Sequence, residues 1–383
     1  MDYTELFYPA RFAVGPGSVA ALTEFAQNRE LKRGLIVTDR TLRGLPLMER
    51  VTAALDGAGV RYEFFDGVIA NPSAETADAA AAAFAALNAD FIVAVGGGSA
   101  ADTAKAASLV AANGGSARHY IGVNRSLRPG APVAAVSTTA GTGAEVTRFF
   151  VLTDVDRRGK AIGVDDHCLV ALAVSDPLLM TELPADITAA TAMDALTHAM
   201  EAYCAVTANP FTDGLALKAV GLIDKALPRV MKDPADVAAR TDLCWAASLA
   251  GYAFSNSGLG LMHSLGFSIE NFTGVPHGQA VGMVMPYVLE FNRRAVGERV
   301  ADLGGVCGLS DHVTLGVRTV RHMSDRLSAL PIPTLRETGF AVGDIPALAE
   351  MALNDPTLAA NPVQPSREEL TALIESVYCE ELK

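Results

Sequence analysis

Short β-branched runs alternate with helix-forming stretches in the first half of this chain, and this alternation constrains its fold more than any other feature. Strands that alternate with helices predict a parallel sheet covered on both faces. The Asn71-Pro72-Ser73 sequence provides a start signal for one of the helices, Ala74–Leu87. The strand-like runs are residues 34–38, 62–65, 91–95 and 132–136.

Two further strand-like runs, 149–153 and 160–164, flank the turn-forming sequence of residues 156–159. We expect them to form a hairpin that is added to the parallel sheet.

The character of the sequence changes after Leu183-Pro184. Strand-like runs nearly vanish, and Ala, Leu, Met and Glu recur at three- and four-residue spacing. We therefore predict two domains: an α/β domain with a parallel, Rossmann-like sheet over residues 1–184, and an all-α helical domain over residues 185–383. The cleft between two such domains is the default place for a ligand site.

Charge and composition exclude several partners. With 30 Lys and Arg against 43 Asp and Glu, the net charge is −13, and no basic run is present, which argues against nucleic acid and anionic membrane surfaces. The most apolar stretch, residues 79–95, is broken by Asn88 and Asp90 and does not predict a membrane span. The acidic start lacks a secretory pattern, and the five scattered cysteines are typical of reduced thiols. We expect a cytoplasmic protein.

Two turns of small residues follow neighbouring predicted strands. Gly96-Gly97-Gly98-Ser99 opens a helix, where free N–H groups and the helix dipole favour a phosphate. The spacing is not GxGxxG, so a purely structural turn is the alternative. A second such turn, residues 137–145, makes the two phosphates and ribose of a dinucleotide the better explanation.

Asp39 directly follows the strand-like run 34–38. A carboxylate there can accept hydrogen bonds from the adenosine ribose and repel a 2′-phosphate, which predicts NAD. Its alternative role is that of a helix N-cap, and both roles can coexist.

Asp194 and His198 are spaced so that they lie on one face of a helix. Alone they are also typical of an ordinary surface pair. His263 and His277, however, lie in apolar contexts that contain glycine, where a histidine without a task is costly to bury. Together the four residues offer N and O donors that suit Fe²⁺, Zn²⁺, Co²⁺ or Mn²⁺. The other histidines, His119, His167, His312 and His322, are interpreted as solvated surface positions.

Three long motifs in order resemble the iron-containing (group III) alcohol dehydrogenase family, over essentially the whole chain. Residues 96–105 resemble its GGGS-x-x-D-x-x-K loop, residues 138–147 resemble TTAGTGSEVT with Ala144 in place of serine, and residues 193–203, MDALTHAMEAY, match its metal helix. The similarity is greatest to the bacterial branch of lactaldehyde, 1,3-propanediol and iron-activated ethanol dehydrogenases. It implies the dehydroquinate synthase-like, iron-dependent alcohol dehydrogenase fold.

The resemblance implies a metal-dependent, NAD-linked alcohol dehydrogenase or aldehyde reductase acting on a small primary alcohol or aldehyde. The expected metal is Fe²⁺, with Zn²⁺ as the alternative, held by Asp194, His198, His263 and His277, which are also the catalytic residues. Phe149 and Phe254 resemble pocket-lining positions, although each could equally be a core aromatic. The implied NAD-binding residues are Asp39, Asn71, Gly97, Gly98, Ser99, Asp102, Thr138, Thr139, Thr142, Thr147, Phe149, Lys160 and Leu179.

The chain departs from the family in one place. Close relatives carry a second histidine four residues after the third ligand, with a part in proton transfer or substrate contact, whereas this chain has Phe267. We expect Phe267 to make that side of the substrate pocket more apolar and to reroute the proton.

Family behaviour also predicts a homodimer or higher homo-oligomer, through the N-terminal segment 6–14. Two alternatives stay open at this point. One is a zinc and NAD enzyme of the same fold that acts on a phosphorylated substrate, such as glycerol-1-phosphate dehydrogenase or dehydroquinate synthase. The other is a non-catalytic nucleotide-binding relative.

Overall fold

A computed structural model describes residues 4–7, 11–154, 159–310 and 315–382 of the chain. The chain divides into two compact units, Met1–Glu182 and Leu183–Lys383. Each unit has its own secondary-structure class.

The first unit is built on a six-stranded sheet with the strand order β1-β9-β6-β4-β2-β3, in which every neighbouring pair is parallel. The four runs predicted as its strands are confirmed as β2, β3, β4 and β6. The sequence pattern did not reveal β1 and β9, which have only three and four residues. The six strands are β1 (Phe12–Val14), β2 (Arg33–Val37), β3 (Arg61–Phe65), β4 (Phe91–Gly96), β6 (Val133–Ser137) and β9 (Leu172–Ser175).

The central strands form the core because apolar residues cover both of their faces. All of β4 and β6 is buried. Phe91, Val93 and Val136 pack in one cluster with Leu22 and Leu55 from the covering helices. Burial of each large side chain contributes about 1.5–3 kcal/mol. The helices of this unit are α1 (Ala21–Asn28), α2 (Arg40–Arg43), α3 (Leu47–Gly57), α4 (Ala74–Leu87) and α5 (Gly98–Asn113).

The predicted hairpin forms, but not where the sequence placed it. β7 (Phe149–Asp154) and β8 (Gly159–Val164) pair antiparallel, and β8 also pairs with the short β5 (Gly122–Val123), so the three make a separate sheet. The expectation that the hairpin extends the parallel sheet is therefore wrong. Its turn, 155–158, lies outside the described residues.

Packing explains the separate sheet. Phe150 and Leu152 of β7 are fully buried in a second core cluster, which includes Ala77 of α4 and Leu109 of α5. The hairpin thus covers two helices instead of pairing with a strand of the main sheet. Gly163 admits the Phe150 ring, since a Cβ at Gly163 would lie 2.0 Å from Cζ of Phe150.

The second unit is helical, and the part of it that the structure describes contains no strand. Its central helix α6 is rich in alanine and is buried from Ala192 to Cys204. The polar residues Asp194, His198 and Glu201 are buried with it. The helices are α6 (Ala185–Cys204), α7 (Pro210–Lys232), α8 (Val237–Ser257), α9 (Leu261–Thr273), α10 (His277–Val306, with a break at Val296), α11 (Leu315–Ser328), α12 (Ile345–Leu353) and α13 (Arg367–Cys379).

Among the described residues, none of the helices combines the length and hydropathy needed to cross a membrane.

Candidate metal centre and dinucleotide site

Three imidazoles surround one carboxylate oxygen inside the helical unit. Oδ1 of Asp194 lies 3.6 Å from Nε2 of His198, 3.7 Å from Nε2 of His263 and 3.7 Å from Nε2 of His277. Asp194 and His198 are one turn apart on α6, whereas His263 lies in the first turn of α9 and His277 is the first residue of α10. The structure thus brings all four predicted ligands together.

The donor set fits a divalent cation. Ligands at about 2.0–2.2 Å from a tetrahedral Zn²⁺-like ion lie roughly 3.4 Å apart, close to the separations between Asp194 Oδ1 and the three nitrogens. Asp194 Oδ1 and His263 Nε2 are buried without a hydrogen-bond partner among the described residues. Leaving such atoms unpaired costs about 1–3 kcal/mol each. An ion at their centre would remove that cost.

Two glutamates lie beside the ligand imidazoles, and neither was predicted as a site residue from the sequence. Glu201 Oε2 lies 2.5 Å from Nδ1 of His263, while its Oε1 accepts the N–H of Met262 at the start of α9. Glu270 Oε2 lies 3.3 Å from Nδ1 of His277, without a hydrogen bond between these two atoms. A carboxylate that is hydrogen-bonded to the far nitrogen, as Glu201 is to His263, fixes the ring and its tautomer. The signal for Glu201 was its position three residues after His198, on the same face of α6.

The pKa values reflect the crowding of charges. Burial lowers the pKa of His263, but Glu201 and Asp194 outweigh that effect and raise it to about 9. Burial raises the pKa of Asp194, but the three histidines more than reverse this and leave it well below its usual range. Asp194 is therefore a carboxylate at neutral pH, as a metal ligand must be.

Aromatic rings line the same cluster. Phe254 stacks on His198 at 4.3 Å between ring centroids, and Phe267 stacks on His277 at 4.6 Å. Phe267 also meets His263 edge-on at 5.9 Å. Phe254 is buried and Phe267 is half-buried. Both residues thus give the ligand rings an apolar flank.

In the first unit, the two turns of small residues lie against each other. Gly97 is the N-cap of α5 and has no side chain to cap its N–H groups. A Cβ on Gly97 would lie 3.0 Å from Oγ1 of Thr139, and one on Gly98 would lie 3.0 Å from Cγ2 of Thr142. Thr138 N donates to Gly96 O at 3.0 Å. The predicted pair of phosphate-compatible turns is therefore one contiguous surface.

Asp39 is the N-cap of α2, where its Oδ1 accepts the N–H of Leu42 at 2.9 Å. The capping role considered from the sequence is thus present, and Oδ2 remains for another partner. Lys160 Nζ donates to Oδ1 of Asn71 at 2.7 Å. These three predicted residues are partly or fully exposed.

A buried ammonium group organises the segment next to the second turn. Lys105 has no exposed surface, and its Nζ donates to the carbonyl oxygens of Thr147 and Phe149 at 2.8 and 2.7 Å. Burial lowers its pKa. Burial also raises the pKa of Asp102 to about 6, although Lys105 partly offsets the effect. Lys105 thus holds the backbone at Thr147 and Phe149, two of the predicted cofactor-binding residues.

Two further residues predicted to bind the cofactor, Ser99 and Leu179, differ in burial. Ser99 lies half-buried in the first turn of α5, and its carbonyl oxygen accepts the Thr103 hydroxyl at 2.7 Å. The side chain of Leu179 packs into the core cluster of the parallel sheet and is only 4% exposed.

One interpretation of the other histidines is wrong. His322 is not a solvated surface position, because its Nε2 lies 2.8 Å from Oδ1 of the buried Asp224. No local sequence pattern indicates this pair, because its members are 98 positions apart. His119 accepts the backbone N–H of Ser116, and His167 contacts the hydroxyl of Ser126. His312 lies outside the described residues.

Comparison with known proteins identifies the family. The model of the iron-containing alcohol dehydrogenase family matches residues 9–177, and that of the Fe-containing alcohol dehydrogenase family, C-terminal, matches residues 188–378. The chain belongs to the iron-containing alcohol dehydrogenase family. It is therefore an oxidoreductase, and the fold predicted from the resemblance is confirmed.

Individual members of the iron-containing alcohol dehydrogenase family match over nearly the whole length. Alcohol dehydrogenase 4 of Saccharomyces cerevisiae (strain YJM789) is 36% identical over 377 residues, which cover 98% of each chain. The crystal structure of a 1,3-propanediol oxidoreductase superposes with a TM-score of 0.95 at 34% identity, covering 98% of this chain and 100% of the other. Sulfoacetaldehyde reductase from Bifidobacterium kashiwanohense, solved in complex with NAD⁺, has a TM-score of 0.89 at 29% identity, covering 99% of both.

Proposed function

We propose that this chain is an NAD-linked, metal-dependent dehydrogenase that interconverts small primary alcohols and aldehydes. The observation that carries the proposal is the convergence of three Nε2 atoms on Oδ1 of Asp194. Family membership supports the reaction class. The ligand set Asp194, His198, His263 and His277 is intact, which argues against a non-catalytic relative.

When bound, a divalent ion supplies Lewis-acid polarisation of the substrate oxygen, which eases loss of the alcohol proton near neutral pH. The chain's own residues prepare that chemistry. Asp194 supplies the one negative charge among the ligands, and Glu201 holds His263 in the tautomer that leaves Nε2 free to coordinate. Phe254 and Phe267 exclude water from two sides of the ligand rings, which strengthens electrostatic interactions there.

For the cofactor, we propose that the N–H groups at the start of α5 bind the pyrophosphate, because they are uncapped and carry the positive end of the helix dipole. Gly97 and Gly98 allow close approach. Asp39 Oδ2 accepts from the adenosine ribose while Oδ1 caps α2. The negative charge of Asp39 disfavours the 2′-phosphate of NADP.

The same proposal assigns the nucleotide to residues 1–184 and the ion to residues 185–383. It also includes a homodimer or higher homo-oligomer in the cytoplasm; part of the segment 6–14 suggested for its interface, residues 8–10, lies outside the described residues. Fe²⁺ is the expected ion. Zn²⁺ is the alternative, since four N and O donors bind zinc at least as strongly.

A phosphorylated substrate is disfavoured by the neighbourhood of the ligands. The residues in contact with the ligand rings include Phe254, Phe267, Glu201 and Glu270, which are apolar or acidic. A phosphate requires cationic or N–H donors.

The test is NADH oxidation by a panel of small aldehydes, after the metal-free protein is reconstituted with Fe²⁺ or Zn²⁺. We expect turnover that depends on the ion and is faster with NADH than with NADPH. Turnover that persists without any metal, or no turnover with any aldehyde of the panel, would contradict the proposal.

A further inference from the structure

A second group of metal-ligating side chains lies in the helical unit, apart from the Asp194 centre. Asp224 of α7, Cys307 directly after α10 and His322 of α11 each offer one ligand atom, and these atoms all lie within 4.8 Å of one another. α7, the end of α10 and α11 therefore bring a carboxylate, a thiol and an imidazole close together.

The donor atoms of this cluster differ from those of the Asp194 centre. One O, one S and one N donor suit a borderline-soft ion, with Zn²⁺ the first choice and Co²⁺ its spectroscopic substitute. Three protein ligands leave the fourth tetrahedral position for water. The Asp194 centre contains only N and O donors, so a sulfur ligand distinguishes the two sites.

The burial of the cluster suits an ion that enters from solvent. The side chain of Asp224 is 6% exposed and that of His322 is 20% exposed, while Cys307 is half-buried. An ion can therefore reach the cluster and still lose most of its hydration shell there.

The guanidinium group of Arg326 already pairs with one of the three ligands, Asp224. Asp224 Oδ1 accepts from His322 Nε2 at 2.8 Å and from Arg326 Nε at 2.9 Å. The side chain of Arg326 is 39% exposed, so it can turn into solvent when another cation takes its position. The carboxylate of Asp224 thus has a cationic partner both with and without a bound metal ion.

We propose that Asp224, Cys307 and His322 form a second metal site, which binds Zn²⁺ in exchange for the Arg326 ion pair. Binding releases the thiol proton to solvent and leaves a thiolate on the ion, with no change of oxidation state. The bound ion ties α7, α11 and the end of α10 together.

The experiment is a titration of the metal-free full chain with Co²⁺, followed by its thiolate-to-cobalt charge-transfer absorption. The Asp194 centre has no thiol and cannot produce this band. We expect the band in the wild type and in Cys379→Ser, the matched control at an exposed cysteine. We expect no band in Cys307→Ser, and we expect added Zn²⁺ to abolish the wild-type band.

Two variants that keep the thiol guard against misfolding of Cys307→Ser. His322→Gln should weaken Co²⁺ binding at least about tenfold, since loss of an outer-shell partner alone costs 10–100-fold. Arg326→Gln should tighten it, because the competing cation is removed. Absence of the band in the wild type, its persistence in Cys307→Ser, or weaker binding in Arg326→Gln would overturn the proposal.

Discussion

The carboxylate of Glu201 holds the imidazole of His263, with 2.5 Å between Oε2 and Nδ1. The same carboxylate accepts the N–H of Met262, the second residue of α9. One side chain of α6 therefore fixes both the start of α9 and the orientation of the ligand that α9 carries.

Glu201→Gln should weaken binding of the catalytic metal by about 10–100-fold, because the neutral amide supports the His263 tautomer less well. Glu270→Gln is the matched comparison, and its effect should be smaller, since Glu270 lies 3.3 Å from His277 instead of 2.5 Å. Competition with a chelator of known affinity measures both variants. If Glu201→Gln bound the metal as tightly as the wild type, Glu201 would not have an orienting role.

Phe267→His tests the apolar flank of the site. The new imidazole would lie beside His277, where Phe267 now stacks at 4.6 Å, and it offers a titratable group near the ligands. We expect the pH profile of aldehyde reduction to gain a limb near the ordinary histidine pKa of about 6.5. Phe267→Leu keeps the flank apolar and should leave the profile unchanged. A Phe267→His enzyme with the wild-type rate and profile would count against rerouting of the proton.

Asp39→Ser should relax the cofactor preference. Serine retains the capping of α2 that Asp39 provides and removes the charge that faces a 2′-phosphate. We expect the ratio of kcat/KM for NADPH over NADH to rise at least about tenfold, because removing a like-charge contact is worth several kcal/mol. An unchanged ratio would mean that Asp39 only caps the helix.

Gly163→Ala tests the packing of the separate sheet. Its Cβ would lie 2.0 Å from Cζ of Phe150, a fully buried ring. We expect a loss of about 1–3 kcal/mol in the free energy of unfolding through overpacking. Gly214→Ala is the control: it lies within α7, and apart from the adjacent residues and helix backbone no atom lies within 4 Å of its Cβ. This change should stabilise the protein by up to about 1 kcal/mol. Denaturant unfolding compares the two; equal stability would contradict the packing described.

Local sequence signals predicted the regular elements well. α4 runs over Ala74–Leu87 as its start signal and composition indicate, and β4 begins at Phe91. The hairpin strands were predicted equally well. The sheet to which they belong was not predicted, because the choice of partner strand depends on where Phe150 and Leu152 find apolar neighbours. The helices α4 and α5 supply those neighbours only after folding.

The candidate metal site was predictable to different degrees. Helical spacing alone put Asp194 and His198 on one face of α6. His263 and His277 were suggested by their apolar context and by resemblance, since no spacing rule relates α9 and α10 to α6. Glu270 and His322 were missed because their partners, His277 and Asp224, come from other turns or helices.

The most direct test of the metal centre compares Asp194→Asn with Asp186→Asn, an exposed aspartate in the first turn of the same helix. Both variants are reconstituted with Fe²⁺ and assayed for bound iron and for NADH oxidation by an aldehyde that the wild type reduces. We predict that Asp194→Asn loses bound iron and at least about 100-fold in kcat/KM, a loss of roughly 3 kcal/mol in transition-state stabilisation. Asp186→Asn should match the wild type in both. An Asp194→Asn protein that retains iron and turns over like Asp186→Asn would contradict the account.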